Sequence, residues 1–224
     1  MSYRALFLGS IGVLTETSDM QRRAFNLAFR DAGLDWTWEG AGYYALLRKP
    51  GGLGRIMDYA AARGARVNAA EIHARKLHHF RELALAEGLA LRPGVADTIA
   101  AARAEGMAVG FVSTTVPETI ELIFDGLRGA LTREDFDVVI DRAKVVVGKP
   151  GPECYLAALA ALGLTPDQAL AFEDTPEAQS SALGAGVRCI AVPGFSSQTR
   201  VFDPQERVLT QMRPDLVVPQ RLSA

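Results

Sequence analysis

Cysteine, histidine and net charge are all scarce in this 224-residue chain. The two cysteines, Cys154 and Cys189, stand far apart and lack metal-ligand spacing. They exclude a disulfide scaffold and a cysteine-based zinc site, and read as reduced, packed thiols of a cytoplasmic protein. All three histidines, His73, His78 and His79, fall in one helical stretch. Their spacing does not match the i,i+4 pair that binds a metal from one helix face, so a solvated helix face is expected. A formal charge of −2 gives no electrostatic footprint for nucleic acid or an anionic membrane. No apolar run approaches the roughly 18 residues of a membrane span. The opening "MSYRALFLGS" is too short and too early for a signal peptide.

What the chain has is a rhythm. Short apolar runs at Ala5–Leu8, Val109–Ser113, Val138–Asp141, Ala169–Phe172 and Cys189–Val192 read as strands, with a weaker sixth at Leu216–Val218. Helical patterns at Val95–Glu105, Pro152–Leu162 and Glu177–Gly184 separate them, and Gly106, Gly163 and Gly186 lie just past the helix ends. Such alternation predicts an α/β fold, a doubly wound, Rossmann-like parallel sheet covered on both faces. One interval breaks the rhythm. Between Ser18 and about Gly88 only helical patterns occur, including "SDMQRRAFNLAFRDAG", with Ser18 as a candidate cap, and "AAEIHARKLHHFRELALAEG". The expected organisation is a core of residues 1–15 and 89–224 with an inserted helical cap at 16–88.

Ligands in such sheets bind at the carboxyl ends of the strands. Those ends carry Gly9-Ser10-Ile11, Ser113-Thr114-Thr115 and Glu173-Asp174-Thr175, with Lys149 in "VVVGKPGPECY" before a helix start. Hydroxyls and backbone amides accept phosphate oxygens, a lysine neutralises them, and paired acids hold Mg²⁺. Each signal has a plainer structural explanation. Ser113 and Thr114 could cap the next helix, Lys149 could be a solvated charge, and "EDTPEA" could be an acidic helix start. The combination, in this order, is more specific than its parts. One element is missing: "LFLGSIGVLTET" builds a strand end suited to chemistry, yet its tip has no carboxylate, thiol or imidazole.

With the strand-one loop, the helical interval, Ser113-Thr114, "GKPGPECY" and "AFEDTPEA" in this order, the chain resembles the haloacid dehalogenase-like superfamily. The sugar-phosphate phosphatase and phosphoglucomutase branch is most similar. "RRAFNLAFRDAGLDW", "GGLGRI", "LRPGVADTI" and "VRCIAVPGF" resemble its CbbY-like phosphatases, which act on sugar bisphosphates linked to carbon fixation. The family ends strand one in Asp-x-Asp-Gly, the first Asp being nucleophile and Mg²⁺ ligand and the second the general acid/base. Setting Gly12 on the family glycine places Gly9 at the nucleophile and Ile11 at the acid/base, so this catalytic motif is degenerate. By the same resemblance Ser113, Thr114 and Lys149 bind phosphate, Glu173 and Asp174 are vestigial metal ligands, and Arg55 is a substrate-contacting cap arginine. Ser18 and Gln21 stand where the branch tends to carry Glu and His, and Leu53 where it often has Lys.

The resemblance therefore implies a phosphoric monoester hydrolase scaffold without turnover. Acid/base help alone contributes about 10²–10⁴-fold, and loss of the nucleophile closes the covalent route. Ser10 is one position off, so its side chain is expected on the other side of the strand, with no histidine placed to activate it. Mg²⁺ binding is expected to be weak or absent, with no other cofactor. The Ser113–Thr114–Lys149 cradle is expected to bind an anion. The leading expectation is a pseudophosphatase that binds a phosphorylated metabolite or a protein partner, with no nucleic-acid or membrane partner. The alternatives are an active Mg²⁺-dependent sugar-phosphate hydrolase with a non-standard nucleophile, and a purely structural or interaction protein.

Overall fold

The first strand, β1 (Ala5–Leu8), is 0% exposed at all four residues. Successive side chains of a strand point to opposite faces, so both faces of the sheet must be covered here. That is why the sequence shows a continuous apolar run rather than alternation. The computed structural model describes residues 3–49 and 51–218. In these, β1 is followed by helices α1 (Ile11–Leu14), α2 (Ser18–Asp31), α3 (Gly40–Leu46), α4 (Gly52–Ala62), α5 (Ala69–Glu87) and α6 (Val95–Ala104). Strand β2 (Ala108–Val112), helix α7 (Pro117–Gly126), strand β3 (Val138–Ile140) and helix α8 (Glu153–Leu162) come next. Strand β4 (Ala169–Glu173), helix α9 (Pro176–Gly184) and strand β5 (Arg188–Ala191) complete the order.

The five strands are parallel, in the order β3-β2-β1-β4-β5. Register pairs Leu8 with Phe111 on one side and with Phe172 on the other. The strand order reverses at β1, so its carboxyl end and those of β2 and β4 lie side by side, where such folds place ligands. Gly110 permits the packing of β2 because a Cβ there would come 2.7 Å from Phe7 and 2.8 Å from Val138. Phe7, Val112, Ile140, Tyr155 and Cys189 belong to one buried cluster beneath that edge. Cys154 and Cys189 are buried free thiols.

The chain divides into one compact unit of Met1–Glu16 with Leu89–Ala224 and a second of Thr17–Gly88. In the second, α2 packs on α5. Its core is aromatic: Phe25 and Phe29 lie 4.7 and 4.8 Å from the Trp38 ring. Asn26 fixes Trp38 through the Trp38 N–H, at 2.8 Å, and the Trp38 carbonyl, at 3.1 Å.

Two local expectations are corrected. Ser18 is the first residue of α2 and Thr17 holds the cap position. Leu216–Val218 is not a strand: Pro214–Leu216 forms a 3-10 turn that packs on α6. Prolines at 214 and 219 bracket that run, and proline cannot donate to a ladder. The edge beside β5 is instead met at Val208 by an isolated parallel bridge to Ala191.

Candidate active site

The sheet ladder runs one residue past β1, with the Gly9 N–H donating to the Phe172 carbonyl at 2.9 Å. Ser10 is extended, and α1 begins at Ile11. Ser113 continues β2, its N–H on the Ile140 carbonyl at 2.9 Å. Its hydroxyl oxygen accepts from the Thr115 N–H at 3.1 Å. Ser113 therefore shapes the turn after β2 and does not cap α7, which starts at Pro117 after Val116. At β4 the helix cap is Thr175, whose hydroxyl accepts from the Ala178 N–H. Glu173 is thus free of capping duty and stays in the strand, with its side chain inside the protein.

Lys149 reaches the strand ends from the segment before α8. Its ammonium donates to the carbonyls of Gly9 and, at 2.9 Å, Val112, and to Glu173 Oε1 at 2.5 Å. Tyr155, in the first turn of α8, donates its hydroxyl to the same Glu173 oxygen at 2.6 Å. Glu173 is 0% exposed and its Oε2 is buried without a partner among the described residues. Burial raises the Glu173 carboxyl above its ordinary range, with Lys149 opposing that shift. Burial also raises the Tyr155 phenol well above its usual value, so it stays a donor.

This cluster occupies a particular place. A Cβ added to Gly9 would fall on the Glu173 carboxyl group and the Tyr155 hydroxyl, far inside the 3.0 Å that real Cβ atoms keep. The seat of a side chain at position 9 is filled. Beside it, Ser10 donates its hydroxyl to Asp174 Oδ1 at 2.5 Å. Burial raises the Asp174 carboxyl and the Ser10 bond opposes the shift. The Asp174 carboxylate leans over Gly12, where a Cβ would again collide with it. Arg92 ties the loop down, donating to the carbonyls of Gly12 at 2.6 Å and of Val192 and Pro193 at 2.9 Å.

A family model, described as haloacid dehalogenase-like hydrolase, matches residues 4–186. The chain belongs to the haloacid dehalogenase-like hydrolases. Within them it is CbbY-like. It is 38% identical over 202 residues to Protein CbbY of Cereibacter sphaeroides, covering 88% of this chain and 87% of that one. The crystal structure of CbbY from Rhodobacter sphaeroides in complex with phosphate superposes with a TM-score of 0.81 at 36% identity, covering 93% and 94% of the two chains. A mutant of that protein in complex with xylulose-(1,5)bisphosphate gives 0.80 at the same identity and coverage.

For the Mg²⁺ that the resemblance implies, these strand ends offer two carboxylates, Glu173 and Asp174, each with one oxygen already engaged. Glu173 already serves Lys149 and Tyr155, and Asp174 serves Ser10. Among the described residues no group of three or more His, Cys, Asp or Glu side chains is placed to hold a metal.

Of the residues singled out from sequence, Gly9, Lys149 and Glu173 meet, with Ser113 one residue beyond the Val112 carbonyl that Lys149 binds. Thr114 flanks Gly148. Ser10 does not turn away as expected but engages Asp174. Arg55 belongs to the other unit. It is buried there, donates to the Leu46 and Lys49 carbonyls at 3.1 and 3.0 Å, and lies over the Phe25 and Tyr43 rings. The histidines do not form one solvated face. His78 is exposed, His79 bonds Asp31 at 2.6 Å, and His73 is half-buried beside Gly52.

Two participants in this site, and one buried charge in the unit Thr17–Gly88, escaped the sequence reading. Tyr155 lay inside the quoted "GKPGPECY" and Arg92 inside "LRPGVADTI". Lys76 lies on the apolar face of α5, in the i,i+4 series Ile72, Lys76, Phe80, Ala84. It is buried, bonds Gln21 Oε1 at 2.5 Å, and its ammonium lies over the Phe25 and Phe80 rings. A lysine in that series was the available signal.

Proposed function

We propose that this chain is a non-hydrolytic member of the CbbY-like branch, a pseudophosphatase whose core unit recognises a phosphorylated small molecule. The observation that carries the reading is the filled seat at Gly9. No carboxylate stands at positions 9–12, and the place from which one would attack is taken by Glu173 and Tyr155. Covalent phosphoryl transfer needs an in-line nucleophile with a proton donor for the leaving group. Gly9 offers backbone alone, and Ile11 can neither give nor take a proton. Lys149, Ser113 and Thr114 are the groups suited to an anion, and the sugar-bisphosphate complex of the relative supports a phosphorylated ligand. In this reading the unit Thr17–Gly88 is the cap.

The test is phosphate release from a panel of sugar phosphates and bisphosphates, with and without Mg²⁺. Turnover at background is expected. A second reading rests on one observation: the 2.5 Å bond from Ser10 to Asp174 is the geometry of a hydroxyl beside a base. Mg²⁺-dependent release that co-purifies with the protein and vanishes in Ser10→Ala would establish that reading instead.

A further inference from the structure

Lys149 has three N–H donors and three protein acceptors: the Gly9 and Val112 carbonyls and Glu173 Oε1. Its capacity is used. The third acceptor differs in kind from the other two. Glu173 brings a carboxylate into a site otherwise lined by main-chain carbonyls and the Tyr155 hydroxyl. It is anchored through Oε1, since Oε2 is buried with no partner among the described residues. A carboxylate held by one oxygen, with the other desolvated and unpaired, is a poorly satisfied occupant. Its oxygens are acceptors of the same class as those of a phosphate.

We propose that Glu173 is an internal anion seated on Lys149, which a phosphate group must displace before it can bind at the end of β1. The site is self-occupied. Its affinity for an external phosphate, carried by inorganic phosphate or by a phosphomonoester, is lowered by the strength of the Glu173–Lys149 contact. Position 9 is tied to this arrangement, because only a residue without Cβ leaves room for the seated carboxylate. The inference deepens the phosphate-recognition reading above and rests on it.

Calorimetry with inorganic phosphate at fixed ionic strength tests the proposal in the full chain, in Glu173→Gln, in Glu173→Ala, and in Glu173→Gln with Lys149→Met. Glu173→Gln keeps the shape and removes the charge; Glu173→Ala also empties the seat. The expected result is tighter phosphate binding in Glu173→Gln by roughly ten- to hundredfold, the worth of one charge-assisted hydrogen bond. Glu173→Ala is expected to bind at least as tightly where it folds, and Lys149→Met is expected to abolish the gain. Equal affinity in the unsubstituted chain and Glu173→Gln, or no binding in either, overturns the proposal. A gain that survives Lys149→Met does so too. Turnover of phosphomonoesters by the unsubstituted chain would defeat the non-hydrolytic reading through a separate assay and leave this comparison to be judged by itself.

Discussion

Gly9→Ala tests the filled seat by the sign of its effect. Gly9 is not among the glycines with positive φ, so alanine meets no backbone strain there. At an unstrained position Gly→Ala normally stabilises, by about 0.4–1 kcal/mol, because the unfolded chain loses freedom. The structure demands the opposite. The new methyl would coincide with the Glu173 carboxyl group and the Tyr155 hydroxyl, and both residues are 0% exposed. Overpacking a closed core costs about 1–3 kcal/mol. Separating a buried ion pair costs more, about 3–5 kcal/mol. Relaxation that moves Glu173 while keeping some of its contact with Lys149 should fall between these, at about 2–4 kcal/mol. For a chain of this size that is a fall in Tm of roughly 5–15 °C.

Thermal and urea melts of Gly9→Ala measure the effect, and the Glu173→Ala background locates it. With the carboxylate gone, the added methyl meets the Tyr155 hydroxyl without the Glu173 carboxyl group, so Gly9→Ala should cost less there than in the unsubstituted chain. Non-additivity of about 1–3 kcal/mol is within the range for residues in contact. A neutral or stabilising Gly9→Ala in the unsubstituted chain would refute the packing argument. So would an equal loss in both backgrounds.

Two further predictions concern charges that the sequence reading did not assign. Burial, reinforced by the nearby Arg55 charge, holds the Lys76 ammonium down, to about 7 from 10.5. Between those values the unfolded chain keeps a proton that the folded chain releases, so this group makes stability rise with pH across that window, by on the order of 4 kcal/mol. Lys76→Met should be more stable than the unsubstituted chain at pH 7 and lose that advantage by pH 10; urea melts showing a pH-independent difference would contradict it. Arg92→Ala should cost about 2–4 kcal/mol, since three carbonyls lose charged donors. A chemical melt unchanged within error would show that the Gly12 loop holds without it.

The fold was legible because buried parallel strands write themselves as apolar runs. All five stronger strands appear, each shifted by a residue or less at either end. The sixth failed because Leu216–Val218 has the composition of a strand without the backbone donors a ladder needs, and only the flanking prolines signal this. The site was legible as a set of positions, because strand ends and motif order place Lys149, Ser113 and Glu173 near one another. What each side chain does there was not. Whether Glu173 faces a cavity or fills it depends on Tyr155, which arrives from another element at a height set by the packing of α8. The histidines show the same limit. Sequence spacing placed them on one helix, but Gly52 and Asp31, from other helices, decide which are sheltered.

The filled seat also bears on what a larger side chain at position 9 would meet. Deleting a buried side chain and changing nothing else leaves a cavity, and cavities cost roughly in proportion to their volume. No such space adjoins Gly9: Glu173 and Tyr155 stand where the added Cβ would be. The seat takes either a side chain at position 9 or the inward Glu173 carboxylate, and sterics forbid both. Electrostatics points the same way. A carboxylate at position 9 would add a third anion to Glu173 and Asp174, with Lys149 as the cation bonded among them, and burial already raises both remaining carboxyls. Glycine removes the clash and the excess charge together. Lys149 and Tyr155 then both donate to Glu173 Oε1. Gly9 is therefore a packing requirement of the present arrangement, and an aspartate placed there would first have to evict Glu173.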